Sequence, residues 1–231
     1  MKPALIALAA GVFAIGTTEF VIIGLVPGFA RDLGITLPAA GLLVSGYALA
    51  VTVGAPTVTA LVGHLPRRPL AVALMLLFAL GNLLSGFASG YGVMLAGRIV
   101  TGMAHGVFFS IGATIAMSLV ERSRGARAVA LMFAGLTVAM VVGVPSGTFI
   151  GQRLGWRAPF FAIAGLGTLA ATFLQILLPR QISFEPSAGF LSQFRLLQQL
   201  SVVVGWISWR KRMALPAKNG MEQLQVTRFR T

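Results

Sequence analysis

The sequence predicts an all-α membrane protein, with six transmembrane helices arranged as a 3+3 inverted repeat and a cytoplasmic basic tail after them. Three observations predict it. Of 231 residues, 57% are hydrophobic and 10% charged, with a mean hydropathy of +0.89; a soluble globular domain carries about a quarter of its residues as charges. Six separate apolar runs reach the roughly 20 residues that a helix needs to cross about 30 Å of hydrocarbon. Two distant stretches of the chain also echo one another.

The six runs are Pro3–Phe29, Pro38–Val62, Leu70–Ser89, Gly92–Val120, Ala128–Gly151 and Pro159–Leu178. Among all 18 basic and five acidic residues, only Glu19 and Arg98 fall inside them. That segregation follows from the cost of a charge at bilayer depth. The runs are too long, and alternate too little, for the strands of a closed barrel. The first is read as a retained helix, because its apolar stretch outruns the 7–15 residues typical of a signal peptide's hydrophobic region. The transmembrane domain is therefore placed at residues 1–178.

Basic residues in short loops set orientation. Lys2, Arg67, Arg68, Arg122, Arg124, Arg127 and Arg180 share one side, against Arg31, Arg153 and Arg157 on the other. Both termini are thus expected in the cytoplasm, with the bacterial inner membrane as the host. The net charge of +13 becomes a topology signal rather than a nucleic-acid footprint, and its expected partner is anionic lipid. Without cysteine there is no disulfide framework, thiolate metal site or thiol nucleophile.

The echo pairs GAPTVTALVGHLPRR (Gly54–Arg68) with GVPSGTFIGQRLGWR (Gly143–Arg157). Without a gap, Gly54 meets Gly143, Pro56 meets Pro145, Thr59 meets Thr148, Leu65 meets Leu154 and Arg68 meets Arg157. A shorter echo joins GVFAIG (Gly11–Gly16) to GVFFSIG (Gly106–Gly112). Spans one to three therefore match spans four to six. Because three is odd, the triplets must point in opposite directions, the internal symmetry of many transporters.

Four stretches, GTTEFVIIGLVPGFARDLGIT (Gly16–Thr36), LPRRPL (Leu65–Leu70), GRIVTGMAHGVFFSIG (Gly97–Gly112) and GVPSGTFIGQRLGWR, resemble the major facilitator superfamily, specifically its drug:proton antiporter-like bacterial exporters, the arabinose-efflux permeases included. Weaker similarity continues to Gln199. The resemblance implies the N-terminal half of a fold whose members have twelve spans in two six-helix halves, with the substrate pathway between them. Two departures stand out. The family's loop after the second span reads G-x-L-x-D-R-x-G-R-R; here Thr59, Gly63, His64 and Pro66 replace its first Gly, its Asp, its first Arg and its later Gly, leaving Leu61, Arg67 and Arg68. Arg67 and Arg68 are thus candidates for a gating loop, and most simply topology anchors. Beyond Gln199, the apolar segment Leu200–Trp209 is too short to cross. Residues 179–231 are read as a basic tail or frame-shifted linker, with an interfacial segment at 196–209.

Glu19 sits in mid-span. A carboxyl group alternately shielded and wetted takes up and releases protons, which is what proton coupling needs; the structural alternative is a neutral Glu bonded to a neighbouring helix. Arg98 opens the fourth span in R-x-x-x-G with Gly102. At about 100° per residue, Gly102, His105 and Phe109 lie within roughly 40° of it. One face thus offers a cation, an imidazole and an aromatic ring to a substrate pathway. The structural alternatives are a snorkelling Arg98 and a neutral His105 bonded to a backbone carbonyl. Gly102, Gly106, Ser110, Thr114 and Ser118 recur every four residues, as do Gly143, Gly147 and Gly151 on the fifth span, marking packing seams. Pro145 resembles the antiporters' fifth-helix signature and would bend its helix. Asn82 and Gln175 read as glue between helices.

The expected function is proton-coupled efflux of a small molecule, with protons and substrate as ligands and a second six-helix half or a homodimer as partner. The alternative is a truncated, non-transporting remnant. An intramembrane enzyme is disfavoured, since no HExxH and no Gly-flanked serine elbow occurs. Without a GxxxxGK loop, the chain alone does not drive transport with ATP. No cofactor or metal is expected, and no nucleic acid.

Overall fold

The structure is a computed structural model that describes residues 2–180 and 182. It contains α1 (Lys2–Asp32), α2 (Leu37–Val62), α3 (Arg67–Gly86), α4 (Tyr91–Ser118), α5 (Gly125–Val138), α6 (Val144–Leu154) and α7 (Arg157–Leu177). A 3₁₀ turn at Arg122–Arg124 precedes α5, and a π turn at Ala139–Gly143 joins α5 to α6 into one span, so the helices make six crossings. Of the predicted tail, Pro179, Arg180 and Ile182 are described; the interfacial segment at 196–209 lies outside the described residues.

The turns follow from local chemistry. Gly34, at φ 61°, takes the left-handed step between α1 and α2 that a β-carbon resists. The Thr36 side chain then accepts from the Ala39 N–H at 3.3 Å and caps α2, with Pro38 in the first turn. Gly155, at φ 89°, makes the corresponding reversal before α7.

Two expectations need correction. The basic pair after the second span is not a loop: α3 starts at Arg67, three residues before the predicted start, so Arg67 and Arg68 form its first turn. Pro69 permits this, because the first turn needs no N–H from it. The fifth span is not one helix bent at Pro145. The Val144 N–H reaches back five residues to the Ala139 carbonyl, and Pro145 falls in the first turn of α6, where its missing N–H costs little.

Glycines dictate which helices touch. Without a strong hydrophobic drive between helices in lipid, close backbone packing holds them together. A β-carbon on Gly102 would lie 2.7 Å from the Tyr47 carbonyl oxygen, and one on Gly106 the same distance from that of Val51. On the fifth span, a β-carbon on Gly135 would strike the Ala9 carbonyl, one on Gly143 the Thr17 hydroxyl, one on Gly147 Val21, and one on Gly151 Leu25. In both seams the partners advance together along the chain, so α2 runs parallel to α4, and α1 parallel to α5–α6. The 3+3 repeat exchanges these two pairs. Its remaining members, α3 and α7, pack against each other.

That antiparallel pair is fastened at both ends by residues the repeat relates. Arg68, at the start of α3, donates to the Gln175 carbonyl near the end of α7. Arg157, at the start of α7, donates at 3.0 Å to the Ala88 carbonyl just past α3. Each guanidinium thus meets a carbonyl at or near a helix end that has lost its helical partner.

Candidate functional site

The polar centre of the bundle forms where α1, α2, α3 and α4 meet. Thr18 on α1 donates to Asn82 Oδ1 on α3 at 2.6 Å, and Asn82 Nδ2 donates to the Phe78 carbonyl at 2.9 Å. Arg98 on α4 is fully buried. Its Nη1 donates to the Thr18 carbonyl at 3.3 Å, and its guanidinium carbon lies 4.0 Å from the centre of the Tyr47 ring on α2. Nε and Nη2 have no hydrogen-bond partner among the described residues. A snorkelling Arg98 is therefore overturned: the side chain turns inward, where a carbonyl and an aromatic face receive it.

Glu19 lies one residue past Thr18 and is half-buried. Arg98 donates to the carbonyl of the residue before Glu19, and no ion pair joins the two side chains among the described residues. This leaves a cation with unused donors near a carboxyl group that has access to the protein surface.

His105 is 5% exposed. Its Nδ1 lies 2.8 Å from the Tyr47 hydroxyl; which of the two donates depends on the tautomer. The structural alternative, a bond to a backbone carbonyl, is not found among the described residues. Beyond His105 the rings continue edge-on, to Phe109 at 4.2 Å and on to Phe133 of α5 at 5.1 Å. One chain of contacts therefore runs Arg98–Tyr47–His105–Phe109–Phe133 and touches three helices. Gly102 is what lets it form, because α2 approaches closely enough to present Tyr47 only where α4 lacks a side chain.

Tyr47 is the member that sequence reasoning missed. The available signal was that only two tyrosines occur, and one stands in mid-span. Beside this cluster, an apolar cleft of about 520 Å³ opens between α2 and α4, walled by Leu49, Val53, Leu95, Ile99 and Met103. Its lining includes Gly46 and Ala50, one residue before and three residues after the enclosed Tyr47 on α2.

Arg67 and Arg68 stand apart from this centre, at the end of the bundle; Arg67 is 7% exposed. Gly143, Gly147 and Gly151 line the α1 seam, Pro145 between them is exposed, and none of the four joins the polar cluster. No group of three or more His, Cys, Asp or Glu able to hold a metal occurs among the described residues.

The profile described as Major Facilitator Superfamily matches residues 8–215. The uncharacterized MFS-type transporter YtbD of Bacillus subtilis is 46% identical over 195 residues, 84% of this chain and 49% of its own length. The inner membrane transport protein YdhP of Escherichia coli is 47% identical over 176 residues, 76% of this chain and 45% of its own. A chloramphenicol resistance protein of Streptomyces lividans is 42% identical over 157 residues, 68% and 40% respectively. The chain spans about half the length of the curated relatives it matches.

Proposed function

Since the chain belongs to the major facilitator superfamily, a family of multi-pass membrane transporters rather than enzymes, we propose that it serves proton-coupled efflux of a small molecule across a bacterial inner membrane, with both termini in the cytoplasm. Glu19 carries the proton. Arg98 senses whether Glu19 is charged, and His105, Tyr47 and Phe109 border the pathway. The observation that carries this reading is the buried Arg98 guanidinium, with two donors unused, bonded to the carbonyl of Thr18, the residue before the half-buried Glu19. A purely structural arginine would be expected to have its donors satisfied.

Loss of the Glu19 proton strengthens its attraction to Arg98, and uptake weakens it, so protonation selects between two arrangements of α1 against α4. Six helices supply one wall of a pathway that the family builds from two halves. The other wall comes from a second six-helix unit: more of the same polypeptide, a separate chain or a second copy.

The test is flux in proteoliposomes under an imposed pH gradient. Chloramphenicol, the drug in one relative's name, serves as the first probe, and sugars and purines follow. Gradient-driven export is expected, and Glu19→Gln is expected to uncouple it from pH while substrate binding persists. Export with the same pH dependence in Glu19→Gln would overturn the coupling assignment. No flux of any probe, alone or with a second half supplied, would favour the remnant.

A further inference from the structure

At the end of the bundle that carries most of the basic residues, α1 and α5 run side by side. Their backbones touch at Gly135 and Ala9. One turn closer to the helix starts, a wedge of about 480 Å³ lies against both helices. Leu5, Ile6, Val120 and Leu131 wall it, and Arg124 and Arg127 stand at its mouth. These two arginines lie three residues apart, one on the 3₁₀ turn and one on the first turn of α5, and Leu131 lies four further on. Along one face, therefore, two cations give way to hydrocarbon. Ile6 and Leu131 are 60% and 44% exposed, so the apolar part of the wedge opens sideways.

The charge at the mouth is largely unspent. Glu121 reaches Arg124 at 3.8 Å, but both side chains are more than 70% exposed, which makes the pair weak. Arg127 has neither a hydrogen bond nor an ion pair among the described residues. A soluble anion would satisfy the arginines and leave the hydrocarbon walls wet. A zwitterionic lipid would fill the walls but set its own cation against two others. An anionic phospholipid satisfies both parts: its phosphate takes the guanidinium donors, which suit that geometry, and one acyl chain lies against Ile6 and Leu131.

We propose that this wedge is a specific binding site for one anionic phospholipid. The site is distinct from the transport pathway and from the general attraction of a basic loop to an acidic membrane. A lipid seated there braces the start of α1 against the start of α5.

The experiment is native mass spectrometry of the full 231-residue chain in detergent, titrated with phosphatidylglycerol, with phosphatidylcholine or with inorganic phosphate. One tight phosphatidylglycerol adduct is expected, unaffected by excess phosphate, with phosphatidylcholine far weaker. Near a membrane surface each basic residue contributes about fivefold, so Arg124→Gln with Arg127→Gln is expected to weaken the adduct roughly 30-fold. Arg122→Gln, on the same turn but outside the wedge, tests diffuse attraction, and Leu131→Gln tests the acyl wall without touching charge. A loss in Arg122→Gln equal to that in either wedge arginine, an unchanged adduct in Leu131→Gln, or displacement by phosphate would each overturn the proposal.

Discussion

The segments Gly54–Arg68 and Gly143–Arg157 share five of their fifteen aligned residues, and reach the same end by different backbones. Each begins at a glycine that lets a parallel neighbour approach: Gly54 faces the Met103 backbone on α4, and Gly143 faces Thr17 on α1. Each ends at an arginine that fastens the far end of the opposite helix, Arg68 to Gln175 and Arg157 to Ala88. Between these points they differ. The helix through Pro56 continues unbroken, and the Thr57 hydroxyl donates to the Val53 carbonyl, next to the one that Pro56 cannot serve. The helix through Pro145 instead inserts a π turn ahead of it. A proline thus specifies a lost N–H but not the remedy.

The arginine ends differ as well. Arg157 also lies 3.6 Å from the Asp32 carboxylate and stacks on Trp156 at 4.1 Å, while the Trp156 Nε1–H donates to Asp32 at 2.8 Å. Arg68 has no comparable surroundings among the described residues. The Arg157 end therefore binds α1, α3 and α7 together, whereas the Arg68 end joins only α3 and α7.

The comparison breaks most readily at the glycines. Gly135→Ala forces a methyl against the Ala9 backbone, while Gly54→Ala meets Met103 at 3.1 Å, where a small shift suffices. A loss of about 3 kcal/mol is expected for the first and under about 1.5 kcal/mol for the second, read as thermal unfolding in detergent. Equal losses would show that the two seams are packed equally tightly, against these distances.

A smaller effect is expected at the arginines. Arg157→Gln should cost about 1–2 kcal/mol and Arg68→Gln about 1 kcal/mol, both discounted for partial exposure. Adding Asp32→Asn to each sharpens the contrast, because only the Arg157 background should show coupling. The smallest effect belongs to the prolines. Pro145→Ala should let the regular helix extend through Ala139–Gly143, seen as a changed distance between spin labels at the ends of the fifth span. Pro56→Ala should change both that distance for α2 and the stability by little, about 0.5 kcal/mol.

Much of this architecture was legible beforehand, because lipid leaves few options. A charge-free run of twenty residues has one use, so the six crossings and the isolation of Glu19 and Arg98 could be read directly. The repeat survived as glycine, proline and arginine landmarks, each dictated by backbone geometry. The site was legible only along α4, whose period aligns Arg98, Gly102, His105 and Phe109. Tyr47 was not, since it comes from another helix, and periodicity says nothing about which faces meet.

The chain order alone determined how many helices cross, which residues are too costly to leave in lipid, and that two triplets run in opposite senses. Hydrocarbon enforces those outcomes one segment at a time. Packing decided the rest. It set where Arg98 finds a carbonyl and an aromatic ring, what His105 bonds, how Pro145 is accommodated, and that Arg67 and Arg68 belong to a helix. Those outcomes depend on contacts between segments far apart in the chain, where shape and the distance between backbones, not hydropathy, distinguish one arrangement from another.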